Sequence, residues 1–145
     1  MNSPAPADPG FRQRVHDSFA RQGVMHTLGA TLEVADPGRV VIVMAHKPEL
    51  TQQIGYFHAG IMSTIADNAG GYAALTLTSA GKEVLTVEYK INFLVPGKGE
   101  ALIARGQVLK AGRTLIVCRS DVFNVNQGEE SLAATAIVTL MPIDQ

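Results

Sequence analysis

The stretch FHAGIMSTIADNAGG, Phe57 to Gly71, decides how the chain is read. At about 100° per residue, Ile61, Met62, Ile65, Ala66, Ala69, Ala73 and Leu77 fall within a stripe about 160° wide, the mark of a helix with one buried face. The pattern runs on to Ser79, where Ala80-Gly81 ends it, and so predicts a central helix of about five turns at 3.6 residues each. Asp67 projects from the side opposite that stripe, where the core of a single chain neither needs nor buries it. It is the only residue charged at neutral pH between His58 and Lys82, whereas a solvated helix face normally carries several charges. The outer face therefore reads as covered. Gly70, Gly71, Ala73 and Ala74 would let a sheet or a second subunit come close.

On either side of this helix the periodicity changes. Asp8-Pro9 reads as an N-cap and first helical residue, and Phe11, Val15 and Phe19 then recur every four positions until Gly23 closes an amphipathic helix. Residues 1–8, rich in Pro and Ala, read as a flexible lead-in to a single domain over 9–145. Ala30 to Ala45 holds β-branched runs about Asp36-Pro37-Gly38, a hairpin. Beyond the central helix, Val84 to Val95 alternates, with Val87, Tyr89, Ile91 and Phe93 on one side and Thr86, Glu88, Lys90 and Asn92 on the other. Pro96-Gly97 stops it. Ala101 to Lys110, Thr114 to Asn124 and Leu132 to Met141 follow as strands, separated by Ala111 to Arg113 and by NQGEE. The prediction is an α+β fold, a curved antiparallel sheet of about six strands wrapped on one long helix, with an additional N-terminal helix.

The bulk numbers narrow the function. With 145 residues, 46% hydrophobic and 17% charged, one domain with a sizeable core is expected. Twelve basic against thirteen acidic residues leave a net charge of −1, too little field for non-specific binding of nucleic acid or an anionic membrane. No run approaches the ~20 apolar residues that span a bilayer. A single cysteine, Cys118, excludes an internal disulfide and fits a reducing compartment, the cytoplasm. Its apolar strand, LIVCRSDVF, makes it a small hydrophobe rather than a nucleophile. His16, His26 and His46 have no metal-ligand spacing, so no metal is expected.

The start of the central helix supplies chemistry that Asp67 lacks. Its first N–H groups have no intrahelical partner and carry the positive end of the dipole. A thioester or ester carbonyl placed there would have its oxyanion stabilised, each such donor being worth on the order of 10²–10³ in rate. Ala59 and Gly60 are small enough to admit a substrate, and a desolvated Asp67 is suited to activate water.

These residues carry a resemblance. A histidine followed by a small residue and glycine, an aspartate nine positions after that histidine within A-D-x-A (Ala66 to Ala69), and a later F-L-x-P-G (Phe93 to Gly97) are similar to the PaaI-type acyl-CoA thioesterases of the hotdog fold, from about Thr51 to the C-terminus. The resemblance implies that Asp67 is the base or nucleophile and the Ala59 N–H the oxyanion donor, in a pattern HAG where the family usually has glycine. It implies that Gln52 orients the water or carbonyl, that Thr86 helps hold the water, and that His58 supports the loop and substrate. Gly60 and Phe57 would border the substrate, and Lys98, Lys110 and Arg113 would meet CoA phosphates. CoA is then part of the substrate, and no cofactor is implied. Self-association as a dimer or dimer of dimers is implied as well, each site taking its oxyanion loop from one chain and its acid from the other.

Two other readings compete. An enoyl-CoA hydratase needs an Asp and a His together, whereas nine helical residues turn His58 and Asp67 about half a turn apart. A catalytically idle CoA- or lipid-binding hotdog module would not need Gln52, Asp67 and Thr86 all present.

Overall fold

The computed structural model describes residues 5–145; 1–4, half of the expected lead-in, lie outside the described residues. Helices α1 (Phe11–Ala20) and α2 (Gly23–Leu28) precede the hairpin β1 (Ala30–Asp36) and β2 (Arg39–Ala45). A 3₁₀ turn (Pro48–Leu50) leads to α3 (Ala59–Leu75), and β3 (Lys82–Phe93), β4 (Ala101–Ala111), β5 (Ile116–Asn126) and β6 (Glu129–Asp144) follow. The six strands form one sheet in the order β1-β2-β4-β5-β6-β3, antiparallel at every pairing. This is the predicted sheet and helix, with one helix more than expected.

The inner faces of the strands build the core under α3: Ile42 and Met44 on β2, Leu102 and Ala104 on β4, Cys118 and Val122 on β5, and Val138 and Leu140 on β6 are all essentially without exposure. The helix lies close enough that a Cβ on Gly106 of β4 would stand 2.0 Å from the Ala69 carbonyl oxygen, so only glycine fits there. Gly70, Ala73 and Ala74 are buried against this chain's own sheet. The small residues that could have seated a second subunit are thus already spent, except for Gly71.

Three boundaries differ from the expectation. Asp8 does not cap α1; its Oδ1 takes the Gly10 N–H (2.8 Å) and its Oδ2 is held by Arg14 Nε (2.9 Å), which fixes a turn before a helix that starts at Phe11. The Arg14 guanidinium and the Gly10 N–H hold the Asp8 carboxyl below its usual range. Asp8 itself is therefore tied to the start of α1. Gly23 opens α2 instead of merely closing α1, because Met25 and Leu28 give the chain a second pair of side chains to bury. Finally, α3 stops at Leu75, four residues early. Its last carbonyl has another partner: Arg14 donates to Leu75 O (3.3 Å) and, beyond the helix, to Thr78 O (2.9 Å) and Lys82 O (3.1 Å). Thr76 Oγ1 donates to Ala73 O and receives the N–H of Gly38 at the hairpin tip (2.7 Å).

One departure matters for the site. β3 does not alternate through its length: Thr86 pairs with Leu140 and Glu88 with Thr139, leaving Val87 as a β-bulge. Paired residues share a face, so Thr86, opposite buried Leu140, turns toward α3 along with Tyr89, opposite buried Val138. The expectation that Thr86 and Tyr89 lie on opposite faces is overturned by this one extra residue.

Candidate active site

His58 is the N-cap of α3, with extended backbone, and its Nδ1 accepts the Gly60 N–H at 2.9 Å. That contact requires an unprotonated Nδ1 and uses the ring to secure the helix start. The carbonyl of His58 takes the N–H groups of Ile61 and Met62 (3.0 and 3.1 Å). The N–H of Ala59 has no partner among the described residues, and Ala59 and Gly60 are both exposed. One free backbone donor therefore stands at the positive end of a 17-residue helix.

The loop before it is pinned from several sides. His58 N–H donates to Leu50 O (2.9 Å), and Phe57 N–H to Gly97 O (2.8 Å). A Cβ on Gly97 would stand 2.6 Å from Met62 Sδ and 3.0 Å from the Phe57 Cβ, so Pro96-Gly97 is a close packing contact as well as a strand stop. Phe57 is 3% exposed, packed edge-on against His46, and is a loop anchor rather than a wall for substrate. Gln52 turns its Oε1 back onto the N–H of Ile54, which leaves its Nε2 as the group able to reach a substrate or water.

Asp67 lies eight residues beyond Ala59, about 12 Å along the helix at 1.5 Å per residue. It is half-buried, on the open stripe of α3 with Thr64, Asn68 and Gly71. Thr86 Oγ1 donates to its Oδ1 at 2.7 Å, and its Oδ2 makes no hydrogen bond among the described residues. Burial raises the Asp67 carboxyl above the usual aspartate range, and the Thr86 hydrogen bond opposes that rise. A carboxylate lifted in this way binds a proton more firmly than one in water.

Asp67 and Thr86 open into a cavity of about 320 Å³ between the end of α1, the second half of α3 and the start of β3. Beyond them its walls include Asn68, Gly71, Tyr72 and Leu75 from α3, with Ser18 and Gln22 from the N-terminal side. Asn68 Nδ2 donates to Thr64 O, and its Oδ1 is buried without a donor among the described residues. The sequence reading missed this wall. Ser18 lies in α1, whereas Gln22 is the extended residue before α2, so helical spacing alone does not group them.

The three basic residues expected to meet CoA phosphates lie at two ends of one strand. Lys98 precedes β4, near the start of α3, where its N–H meets Asn124 Oδ1. Lys110 is in the last residues of the same strand and Arg113 lies just past it, beside the segment that follows α3. All three are exposed.

With this geometry in place, the thioesterase superfamily profile matches residues 54–131, from the loop before α3 into β6. The chain belongs to the thioesterase superfamily. A thioesterase family protein from Silicibacter pomeroyi superposes with a TM-score of 0.92 at 48% identity, over 94% of this chain and 100% of that one. The Escherichia coli PaaI protein superposes with a TM-score of 0.82 over 94% of this chain and 96% of that one; at 24% identity it supports the shared fold alone. Human acyl-coenzyme A thioesterase 13 is 35% identical over 100 residues, 68% of this chain and 71% of that one. A Saccharolobus solfataricus protein is 42% identical over 82 residues, which span only 58% of its length. Among the described residues of this superfamily member, no helix is long and apolar enough to cross a membrane.

Proposed function

We propose that the protein hydrolyses acyl-CoA thioesters, aryl or medium-chain, to the free acid and CoA, at sites shared between two copies of the chain. One observation carries the reading: a half-buried carboxylate held by Thr86 and an unused Ala59 N–H sit on one rigid helix, about 12 Å apart. A single carbonyl group cannot touch both. A second chain supplies the missing half if its Ala59 faces the first chain's Asp67.

In that arrangement the thioester oxygen accepts the N–H of the partner's Ala59, with Gln52 Nε2 positioned to orient the carbonyl or the water. Asp67 Oδ2 takes a proton from the water as its oxygen bonds to the carbonyl carbon. The oxyanion that forms is stabilised at the helix N-terminus. Its collapse breaks the C–S bond, and the departing CoA sulfur receives the proton from Asp67. His58 holds the loop through Gly60 and needs no proton transfer of its own. No cofactor or metal enters these steps.

The free edge of β3 supports pairing of two sheets. It is 12 residues long and exposes Leu85, Val87 and Tyr89 at 52%, 49% and 48%, with no strand beyond it among the described residues. A dimer satisfies the site, and a dimer of dimers keeps it. CoA phosphates fall to Lys98, Lys110 or Arg113, which one protomer does not bring to one ligand by itself. The name of the human relative supports acyl-CoA as the substrate class. Cys118, buried and unpaired, is in keeping with a reducing cytoplasm.

Free-thiol release from a panel of acyl- and aryl-CoA esters tests the reading. Native protein is expected to turn over at least one ester, and Asp67→Asn to lose at least ~10²-fold in kcat with the fold intact. Equal turnover by both would remove Asp67 as base, and no release from any ester would leave an idle binding module.

A further inference from the structure

The cavity that begins at Asp67 ends on a polar cluster for which the hydrolytic steps have no use. Tyr72 lies five residues farther along α3, about 7.5 Å. Its hydroxyl accepts from Gln22 Nε2 at 2.8 Å and lies 3.3 Å from Ser18 Oγ, which donates to Glu83 Oε1 at 3.4 Å. The same Glu83 oxygen receives Gln145 Nε2 at 2.9 Å and faces Arg21 Nη2 at 3.6 Å. Every one of these contacts goes to Oε1. Oε2 has none among the described residues, on a side chain that lines the cavity and is 27% exposed. Gly71, Leu75, Val84 and Leu140 are the bare and apolar part of the lining that this acceptor shares with Asp67.

We infer that this cavity is the acyl subsite and that Glu83 selects acyl groups carrying a hydroxyl at their far end. The inference rests on the thioesterase reading and deepens it. At roughly 30 Å³ per water-sized group, about 320 Å³ holds about ten non-hydrogen atoms, so a 6-hydroxyhexanoyl group fits. An alkyl end would strip water from Glu83 Oε2 and return no hydrogen bond; a terminal hydroxyl donates one. A site built around such a bond rejects the analogue lacking it more strongly than it rejects a missing methylene. Arg21, Ser18 and Gln145 hold the carboxylate in place, and Gln22 holds the tyrosine beside it.

The test compares hexanoyl-CoA with 6-hydroxyhexanoyl-CoA by thiol release, and the matching non-hydrolysable thioethers, S-hexyl- and S-(6-hydroxyhexyl)-CoA, by calorimetric binding. Native protein is expected to favour the hydroxylated ester about tenfold in kcat/KM and the hydroxylated thioether by a similar factor. Glu83→Leu should bring both ratios to about one, while Glu83→Gln, which keeps an acceptor, should retain most of the preference. A native ratio at or below one, a ratio that Glu83→Leu leaves in place, or equal binding of the thioethers would overturn the assignment, and the native ratio does so without any variant. Selective thioether binding with no thiol release from any ester would remove the hydrolase reading and leave the subsite standing.

Discussion

The first turn of α3 and its third turn are opposites. The first is exposed and uncharged, and it ends in a backbone donor that no protein group uses. The third is half-buried and carries the helix's only charge, fixed by a hydroxyl from β3. A helix cannot bend to bring its first turn onto its third, so the two halves of the chemistry are held apart by the element that carries both. On the function proposed above, the contrast makes the protomer half of two sites rather than the whole of one.

Four experiments break or sharpen that contrast, the largest effect first. Proline is well tolerated at the first position of a helix, and His58 already has the extended backbone that must precede it (ψ 137°). Ala59→Pro should therefore delete the donor alone and cost about 10²–10³ in kcat at unchanged melting temperature. Mixed with Asp67→Asn chains and allowed to exchange, it should restore about a quarter of native activity, because half of the dimers then hold one intact site. No recovery on mixing would place donor and base within one chain.

Next, Gly106→Ala unseats the helix as a whole. Its Cβ would meet the Ala69 carbonyl, and denaturant melts should show a loss of about 3 kcal/mol, at the upper end of overpacking costs, with both turns failing together. Thr86→Val tests the third turn by itself. It removes the hydrogen bond that lowers the Asp67 pKa, so the acid limb of the kcat/KM profile should move to higher pH, with about tenfold lower kcat.

The smallest effect is on stability. The Asp67 pKa is raised in the folded state, so folding favours its proton, and the carboxylate destabilises the fold increasingly as pH rises above the unfolded value of 3.8. Asp67→Asn should thus raise the melting temperature near neutral pH, on the order of 2 °C, and the gain should vanish below that value, where both states are protonated.

Much of the fold was legible in residue pattern, because the charge-poor helix and the alternating strands each have one physical reading. Asp67 stood out for the same reason: a carboxylate amid Ile, Met, Ala and Gly has to be explained. What stayed hidden depended on contacts distant in sequence. Nothing in TVEY betrays a bulge at Val87, since apolar and polar residues alternate there without a break, and only the pairing with β6 reveals that Thr86 faces inward. Phe57 sits beside His58 in sequence and yet packs into the core, because Gly97 and Met62 meet it from elsewhere. Ser18, Gln22 and Glu83 read as ordinary solvated polar residues until α1 is laid against β3. The end of α3 was placed four residues late because Arg14, more than sixty positions away, takes its last carbonyl.

That arginine ties together three distant parts of the chain. Its guanidinium joins Asp8, the last turn of the central helix and the first residue of the edge strand, all in a setting only 16% exposed. An amino-terminal edit such as Arg14→Gln would be felt in the hydrolase before it was felt as a lost tail. On the readings proposed above, the helix end would fray, Glu83 would drift from its neighbours, and discrimination among acyl groups would blur while turnover at Asp67 continued.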